Sequence, residues 1–249
     1  MIGVRDHIRL PAGVELTPEG LRDDVRGETF AVNETARALL VGADGRGTAE
    51  LAELLVARFG IASEAALVDA RSFCRALNER FLLNVDALTA TRRRRHVDTS
   101  TVLAALISTA RALAGRAAAV GSLAAAVTFV LLAGLGAPML GPPLALGAAL
   151  ALSLVLHEGG HAAALRGVPC CVCLAGVAVL LLHRPLPGRR RVLVAVSGPL
   201  TAGAAGLAAL AVAAAFRLEE LGPAALVLLS HVAALTVAGR DGRVACGLS

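Results

Sequence analysis

The sequence predicts a mainly α-helical chain in two parts. A small winged-helix-like α+β domain comes first, followed by an α-helical membrane domain of about four spans. Three observations predict this. Residues 1–98 carry most of the charge and all but four of the acids: from Thr101 to Ser249 the only acidic residues are Glu158, Glu219, Glu220 and Asp241. The chain is too apolar for a soluble globule, with 56% hydrophobic residues and a mean hydropathy of +0.71. The N-terminal part instead alternates short β-compatible stretches with amphipathic helical patterns, the mark of a small soluble core.

In that first part, Val4–Leu10 reads as a strand closed by a turn at Pro11-Ala12-Gly13, and Val14–Thr17 and Thr29–Val32 as further short strands. Asn33 is a strong N-cap, because its side-chain carbonyl can accept an otherwise unpaired N–H of a first helical turn. Ala36, Leu39, Leu40 and Val41 supply that helix's apolar face. Asp44-Gly45 turns the chain. Thr48 is expected to cap a second helix, with Leu51 rather than a glutamate three residues on. Leu51, Leu54, Leu55 and Phe59 form its stripe, and Gly60 ends it. A third helix runs from Ser63 to Leu83, with Leu67, Phe73, Leu77 and Phe81 inward. The domain takes residues 1–85, and residues 86–101 are a basic linker centred on Arg92–Arg95.

The run from Gly27 to Leu40 (GETFAVNETARALL), the turn Asp44-Gly45, the helix start at Thr48 and the Phe59-Gly60 stop resemble the PqqD-like family. The resemblance covers roughly residues 5–85. It implies a peptide recognition element from pathways that modify ribosomally made peptides. By that resemblance a leader peptide adds as a strand beside the third strand and packs on the third helix. Thr29, Phe30, Ala31 and Val32, with Arg71 and Arg75 on the helix, would line the groove. An edge strand's unpaired N–H and C=O groups suit such an extended ligand. The alternative is a domain that only docks or dimerises.

The membrane domain takes residues 102–249. Spans are expected at about 117–135, 144–165, 192–215 and 223–239, each near the ~20 residues that cross ~30 Å of hydrocarbon. Val102–Ala114 either lies at the interface or leads into the first span. Every basic residue other than histidine is arginine. Arg92–Arg95, Arg111, Arg116, Arg166, Arg184, Arg189–Arg191, Arg240 and Arg243 fall on one side of these spans, which makes that side cytoplasmic. An integral protein of the cytoplasmic membrane is expected, with the soluble domain, both termini and the end of the second span on that side.

That end carries His157-Glu158-Gly159-Gly160-His161. Two histidines four apart share a helix face, so both imidazoles can reach one metal ion at about 2.0–2.1 Å. The intervening glutamate can accept a proton from water, the His-Glu-x-x-His arrangement of zinc peptidases. Ionisable groups in a membrane segment cost roughly 2.5–3.5 kcal/mol each on insertion scales and default to function. The alternative is a polar patch gluing two helices together. A catalytic zinc site needs a third protein ligand. Asp241, the sole acid after Glu220, is the candidate, and its alternative role is an interfacial pair with Arg240 or Arg243. His231 is either an oxyanion donor or, the expectation favoured by its distance along the chain, a helix–helix hydrogen-bond partner.

His157-Glu158-x-x-His161, the Ser197-Gly198-Pro199 turn and Asp241-Gly242 resemble the site-2 protease family of intramembrane zinc peptidases. The resemblance spans roughly residues 117–246. It implies His157, His161 and Asp241 as zinc ligands and Glu158 as general base. The family's Asn and Pro before the Asp-Gly are replaced by Ala233 and Thr236, and its Asn after Gly-Pro by Thr201 and Ala202. Leu174–Leu182 is too short to span and is expected to form a strand or hairpin beside the site, as in that family. Cys170, Cys171 and Cys173 before it are expected to be packed thiols, with metal binding the alternative.

A net charge of +5 admits nucleic acid, but the Arg92–Arg95 cluster is explained by the membrane surface, so no nucleic-acid partner is expected. Met1–His7 has no signal-peptide core, and five cysteines give no disulfide framework. The sequence carries no signal for an oligomeric state or an export partner. The expected function is a membrane zinc endopeptidase that removes a leader from a modified ribosomal peptide. Its rivals are a regulatory intramembrane protease of a membrane-anchored signalling protein and a non-catalytic peptide receptor or immunity protein.

Overall fold

The structure is a computed structural model and describes residues 6–86, 92–136, 139–176, 178–218 and 221–235. The chain divides into two compact units: Met1–His96 with Pro169–Pro185, and Val97–Val168 with Leu186–Ser249.

The first unit contains β1 (His7–Arg9), β2 (Val14–Thr17), β3 (Gly20–Asp23), β4 (Glu28–Phe30), α1 (Glu34–Gly42), α2 (Thr48–Phe59), α3 (Ser63–Glu79), β5 (Asn84–Asp86), β6 (Arg92–Val97), β7 (Cys170–Ala175) and β8 (Ala178–His183). Strands pair as β1-β5, β2-β3-β4 and β6-β7-β8. Ile8, Leu51, Leu55, Ala66 and Ala70 are fully buried at its centre. A second cluster of Val14, Leu21, Leu40 and Leu82 lies under the β2-β3-β4 sheet.

Several local expectations hold. Asn33 Oδ1 accepts the Ala36 N–H at 2.8 Å and starts α1. Gly60 ends α2 with φ of 66°, a left-handed conformation that costs a residue without Cβ little. Others need correction. The N-cap of α2 is Gly47, one residue before Thr48, which puts Glu50 at the third position. Its carboxylate accepts the Gly47 N–H at 2.8 Å, so the reciprocating glutamate that the Thr48 register excluded is present. The Gly20–Asp23 stretch, not among the strands expected, is the central strand β3 of its sheet. The third helix ends at Glu79 rather than Leu83, and Phe81 takes a φ of 58° beyond it. Phe81 therefore leaves the helix's inner face and packs with Val25, Cys171 and Cys173.

The largest difference concerns the expected linker and the expected hairpin. Arg92–Val97 is strand β6, and the 170–183 hairpin pairs with it inside the first unit. The reason is a buried ion pair. Asp23 and Arg94 are 0% and 2% exposed. Arg94 donates from Nη1 to Asp23 Oδ2 and from Nη2 to Asp23 Oδ1, each at 2.7 Å. Its Nε points to Cys171 Sγ at 3.3 Å. Asn84 fixes the same strand, donating to Arg94 O at 2.9 Å and accepting from Arg94 N–H at 2.8 Å. Three strands far apart in sequence are thus tied by one guanidinium, so Arg94 is not the surface charge that the Arg92–Arg95 cluster implied.

The second unit contains α4 (Val102–Gly134), α5 (Gly141–Ala164), α6 (Gly188–Phe216), α7 (Leu221–Ser230) and a 3-10 turn (His231–Leu235). Three helices, α4, α5 and α6, are long and apolar enough to cross a membrane, and this half reads as a membrane domain. Of its two expected readings, Val102–Ala114 takes the second: it leads into the first span as the first part of α4. Among the described residues the expected fourth span is only the short apolar stretch Leu221–Leu235.

Small residues let these helices meet. A Cβ on Gly121 would stand 2.7 Å from Gly147 O, and one on Gly206 would stand 2.8 Å from Leu229 N. Leu123, Val127, Val130 and Leu131 of α4, and Leu200 and Leu207 of α6, face outward and exposed. Large apolar residues outside and glycine inside is the arrangement of helices solvated by lipid.

Candidate metal centre and peptide groove

The groove lies in the first unit between β4 and α3. It encloses about 570 Å³ and is lined by Phe30, Ala31 and Val32 on the strand side and Asp69, Phe73, Leu77 and Arg80 on the helix side. Residues 69, 73, 77 and 80 follow the helical repeat, so one face of α3 forms the wall. Phe30, Ala31 and Val32 were expected there; Thr29, Arg71 and Arg75 are not among the lining residues. Arg71 and Arg75 sit two residues beyond Asp69 and Phe73, which turns them about 200° around the helix at 3.6 residues per turn. The sequence signal that could have found the right face was its apolar repeat, Phe73 and Leu77, rather than charge. β4 is an edge of the β2-β3-β4 sheet, paired only with β3 in it.

The histidines lie in the second unit near the C-terminal end of α5. His161 is 8% exposed, and its Nδ1 donates to Val194 O of α6 at 2.6 Å. That hydrogen bond puts the proton on Nδ1 and the lone pair on Nε2. His157 Nε2 stands 3.2 Å from His161 Nε2, with the two rings edge-to-face at 4.7 Å between centroids. Two nitrogens on one tetrahedral zinc, each at about 2.05 Å, stand roughly 3.3 Å apart. The pair therefore fits a shared zinc in spacing and in the chemistry of its donors. Glu158 is half-buried beside them.

The local sequence explains the approach of α6. A Cβ on Gly198 would run into His161 Nε2 and stand 2.6 Å from His157 O, and a Cβ on Gly160 would stand 2.6 Å from Ser197 O. Pro199 lies inside α6 and removes a backbone N–H that would otherwise bond Ala195 O. Ser197 Oγ donates to Val194 O at 2.8 Å, so this carbonyl accepts from both Ser197 and His161. Thr201 donates to Ser197 O at 2.7 Å and borders Gly160. The Ser197-Gly198-Pro199 turn is thus the surface against which the histidines rest.

His231 Nδ1 lies 3.1 Å from His157 Nδ1, with centroids 4.8 Å apart. It makes the helix–helix contact expected of it, and its partner is the first histidine of the motif. His231 meets the opposite ring nitrogen from the one facing His161. Accordingly, no group of three or more His, Cys, Asp or Glu residues arranged to hold a metal ion occurs among the described residues. Asp241 and Thr236 lie outside the described residues.

The cysteines are elsewhere. Cys170, Cys171 and Cys173 are buried in β7 of the first unit. Burial pushes the Cys170 and Cys173 thiols up to about 12, which keeps them neutral, packed groups. The hairpin of β7 and β8 belongs to the first unit.

Residues 14–83 match the family model of coenzyme PQQ synthesis protein D (PqqD). This stretch is a PqqD-like domain, and domains of that kind bind peptides. No curated protein and no solved structure matches the chain.

Proposed function

We propose that the protein is a membrane-embedded zinc endopeptidase that captures a peptide on its PqqD-like domain and cuts it, removing the leader of a modified ribosomal peptide. The observation that carries the enzymatic part is the 3.2 Å between the two Nε2 atoms of His157 and His161, both imidazoles being held by neighbours that leave those atoms to share one ion. The peptide part rests on the groove between β4 and α3 within the PqqD-like stretch.

In this reading His157, His161 and Asp241 hold the ion. Zinc, when bound, polarises the scissile carbonyl and acidifies water. Glu158 takes the proton of the attacking water and returns it to the leaving amine. The Val194 carbonyl holds His161 in the tautomer and orientation that ligation needs. Phe73 and Leu77 give the captured peptide an apolar surface while the β4 edge offers main-chain hydrogen bonds. The arginine distribution of the sequence favours the cytoplasmic side for the His157–His161 end of α5.

The test is cleavage of peptides by the purified chain in detergent with zinc, beside Glu158→Gln. The wild type should cut, and Glu158→Gln should bind the same peptide with unchanged affinity yet cut at least a hundredfold more slowly, the share expected of a general base. Cutting at the wild-type rate by Glu158→Gln would remove the mechanism. A non-catalytic peptide receptor is the second reading, favoured by Ala233 and Thr236 where the resembling peptidases carry Asn and Pro. Peptide binding without cleavage by the zinc-loaded wild type would establish it.

A further inference from the structure

We propose that His231 is a positioning residue for His157: it accepts the N–H of His157 Nδ1 and so holds the opposite nitrogen, Nε2, toward the shared ion. The inference rests on the zinc reading above and deepens it.

The argument begins with proton inventory. A neutral imidazole carries one N–H and one lone pair. His157 Nε2 faces His161 Nε2 at 3.2 Å, and a ligating nitrogen must present its lone pair. The His157 proton then sits on Nδ1, and what lies 3.1 Å from Nδ1 is His231 Nδ1. His231 answers with its own Nδ1 lone pair and keeps its proton on Nε2. The two rings are tilted by 43°, with centroids 4.8 Å apart.

The two motif histidines are thus oriented by different devices. His161 donates to a main-chain carbonyl, Val194 O. His157 leans on a side chain 74 residues away in sequence. That side chain stands where the short helix α7 gives way to a 3-10 turn. A metal-ligating histidine that donates its other N–H to a fixed acceptor has its tautomer and ring angle set by that acceptor. The short, otherwise apolar segment Leu221–Leu235 then has a task at the centre: it delivers the acceptor.

The experiment is zinc affinity of the full chain in detergent, measured by competition with a chelating indicator, for wild type, His231→Asn, His231→Leu and His157→Ala. Asparagine can place its carbonyl oxygen near the position of Nδ1, whereas leucine fills space without an acceptor. His231→Leu should still bind about one zinc per chain but roughly ten- to a hundredfold more weakly, and His231→Asn should recover most of the loss. Melting of the helical circular dichroism signal, followed in parallel, separates misfolding from weakened ligation. Three results overturn the proposal: His231→Leu with wild-type affinity, His231→Asn no better than His231→Leu, or loss of all zinc as in His157→Ala, which would make His231 a ligand. A folded wild type that binds no zinc brings down the zinc reading itself, a failure distinct from the other three.

Discussion

The two units hold themselves together by opposite means. The first has a core of large side chains, among them Ile8, Leu51 and Leu55, and at its edge a desolvated Asp23–Arg94 pair binding three strands. The second buries Leu113, Leu165 and Leu228 as well, but its closest helix contacts are made at glycine, and many of its Leu, Val and Phe side chains are exposed. The first gains its stability by removing apolar surface from water. The second has no such gain to make in lipid and relies on close backbone approach. Their sensitivities to substitution should therefore differ: loss of a partner hurts the first unit, and gain of a methyl group hurts the second.

The largest effect is expected at the ion pair. Asp23→Ala leaves a buried, unpaired guanidinium and should cost about 3–5 kcal/mol. Proteolysis of residues 1–96 under native conditions should accelerate accordingly while the helical signal persists. The joint replacement Asp23→Leu with Arg94→Met should cost far less, because no charge remains buried. The same pair gives a pH signature. Burial alone would raise the Asp23 carboxyl, but the hydrogen bonds and charge of Arg94 outweigh it and hold the group below the ordinary carboxylate range. Its stabilising contribution is complete above the unfolded-state value near ~3.9 and is lost as the pH falls through the lower folded-state value, which an acid titration of the unit's unfolding would show.

Next comes the helix contact. Gly198→Ala adds a Cβ against His161 Nε2 and His157 O. It should cost about 1–3 kcal/mol by overpacking and weaken zinc binding with it. Gly115→Ala in α4 supplies the contrast. Nothing lies within 4 Å of its added Cβ, so it should be neutral or stabilise by roughly 0.5–1 kcal/mol. Equal losses at the two glycines, read from thermal melts, would break the contrast between interior and lipid-facing positions. Phe73→Ala probes the groove. It should weaken peptide binding about tenfold, some 1.4 kcal/mol, measured by fluorescence anisotropy, without altering the zinc content.

How much of this was legible in the sequence follows from the range of the interactions. Asn33 and Gly60 act within a helical turn and do what their local chemistry implies, and the four-residue spacing of His157 and His161 brings their Nε2 atoms to 3.2 Å. The Thr48 register failed by one residue because a threonine cap and a glycine cap differ only in which following residue reaches back, and Glu50 decided it. Arg71 and Arg75, named by resemblance as exposed positions of α3, lie outside the lining of the cavity beside β4, which takes the apolar repeat of Phe73 and Leu77. The pairing of the 170–183 hairpin with β6 was not legible because its anchor is nonlocal. Nothing in the pattern of Cys170–Ala175 reveals that Arg94 and Asp23 await it. The partner of His231 was hidden for the same reason, since a helix contact could be expected but not addressed.

The measurement that tests the central claim most directly is zinc per chain in the detergent-purified wild type beside His157→Ala and Asp241→Ala. The account predicts about one zinc in the wild type and strongly reduced zinc in both variants, as three protein ligands and one open position require. A well-folded wild type without zinc would contradict it and leave peptide binding as the function of the chain.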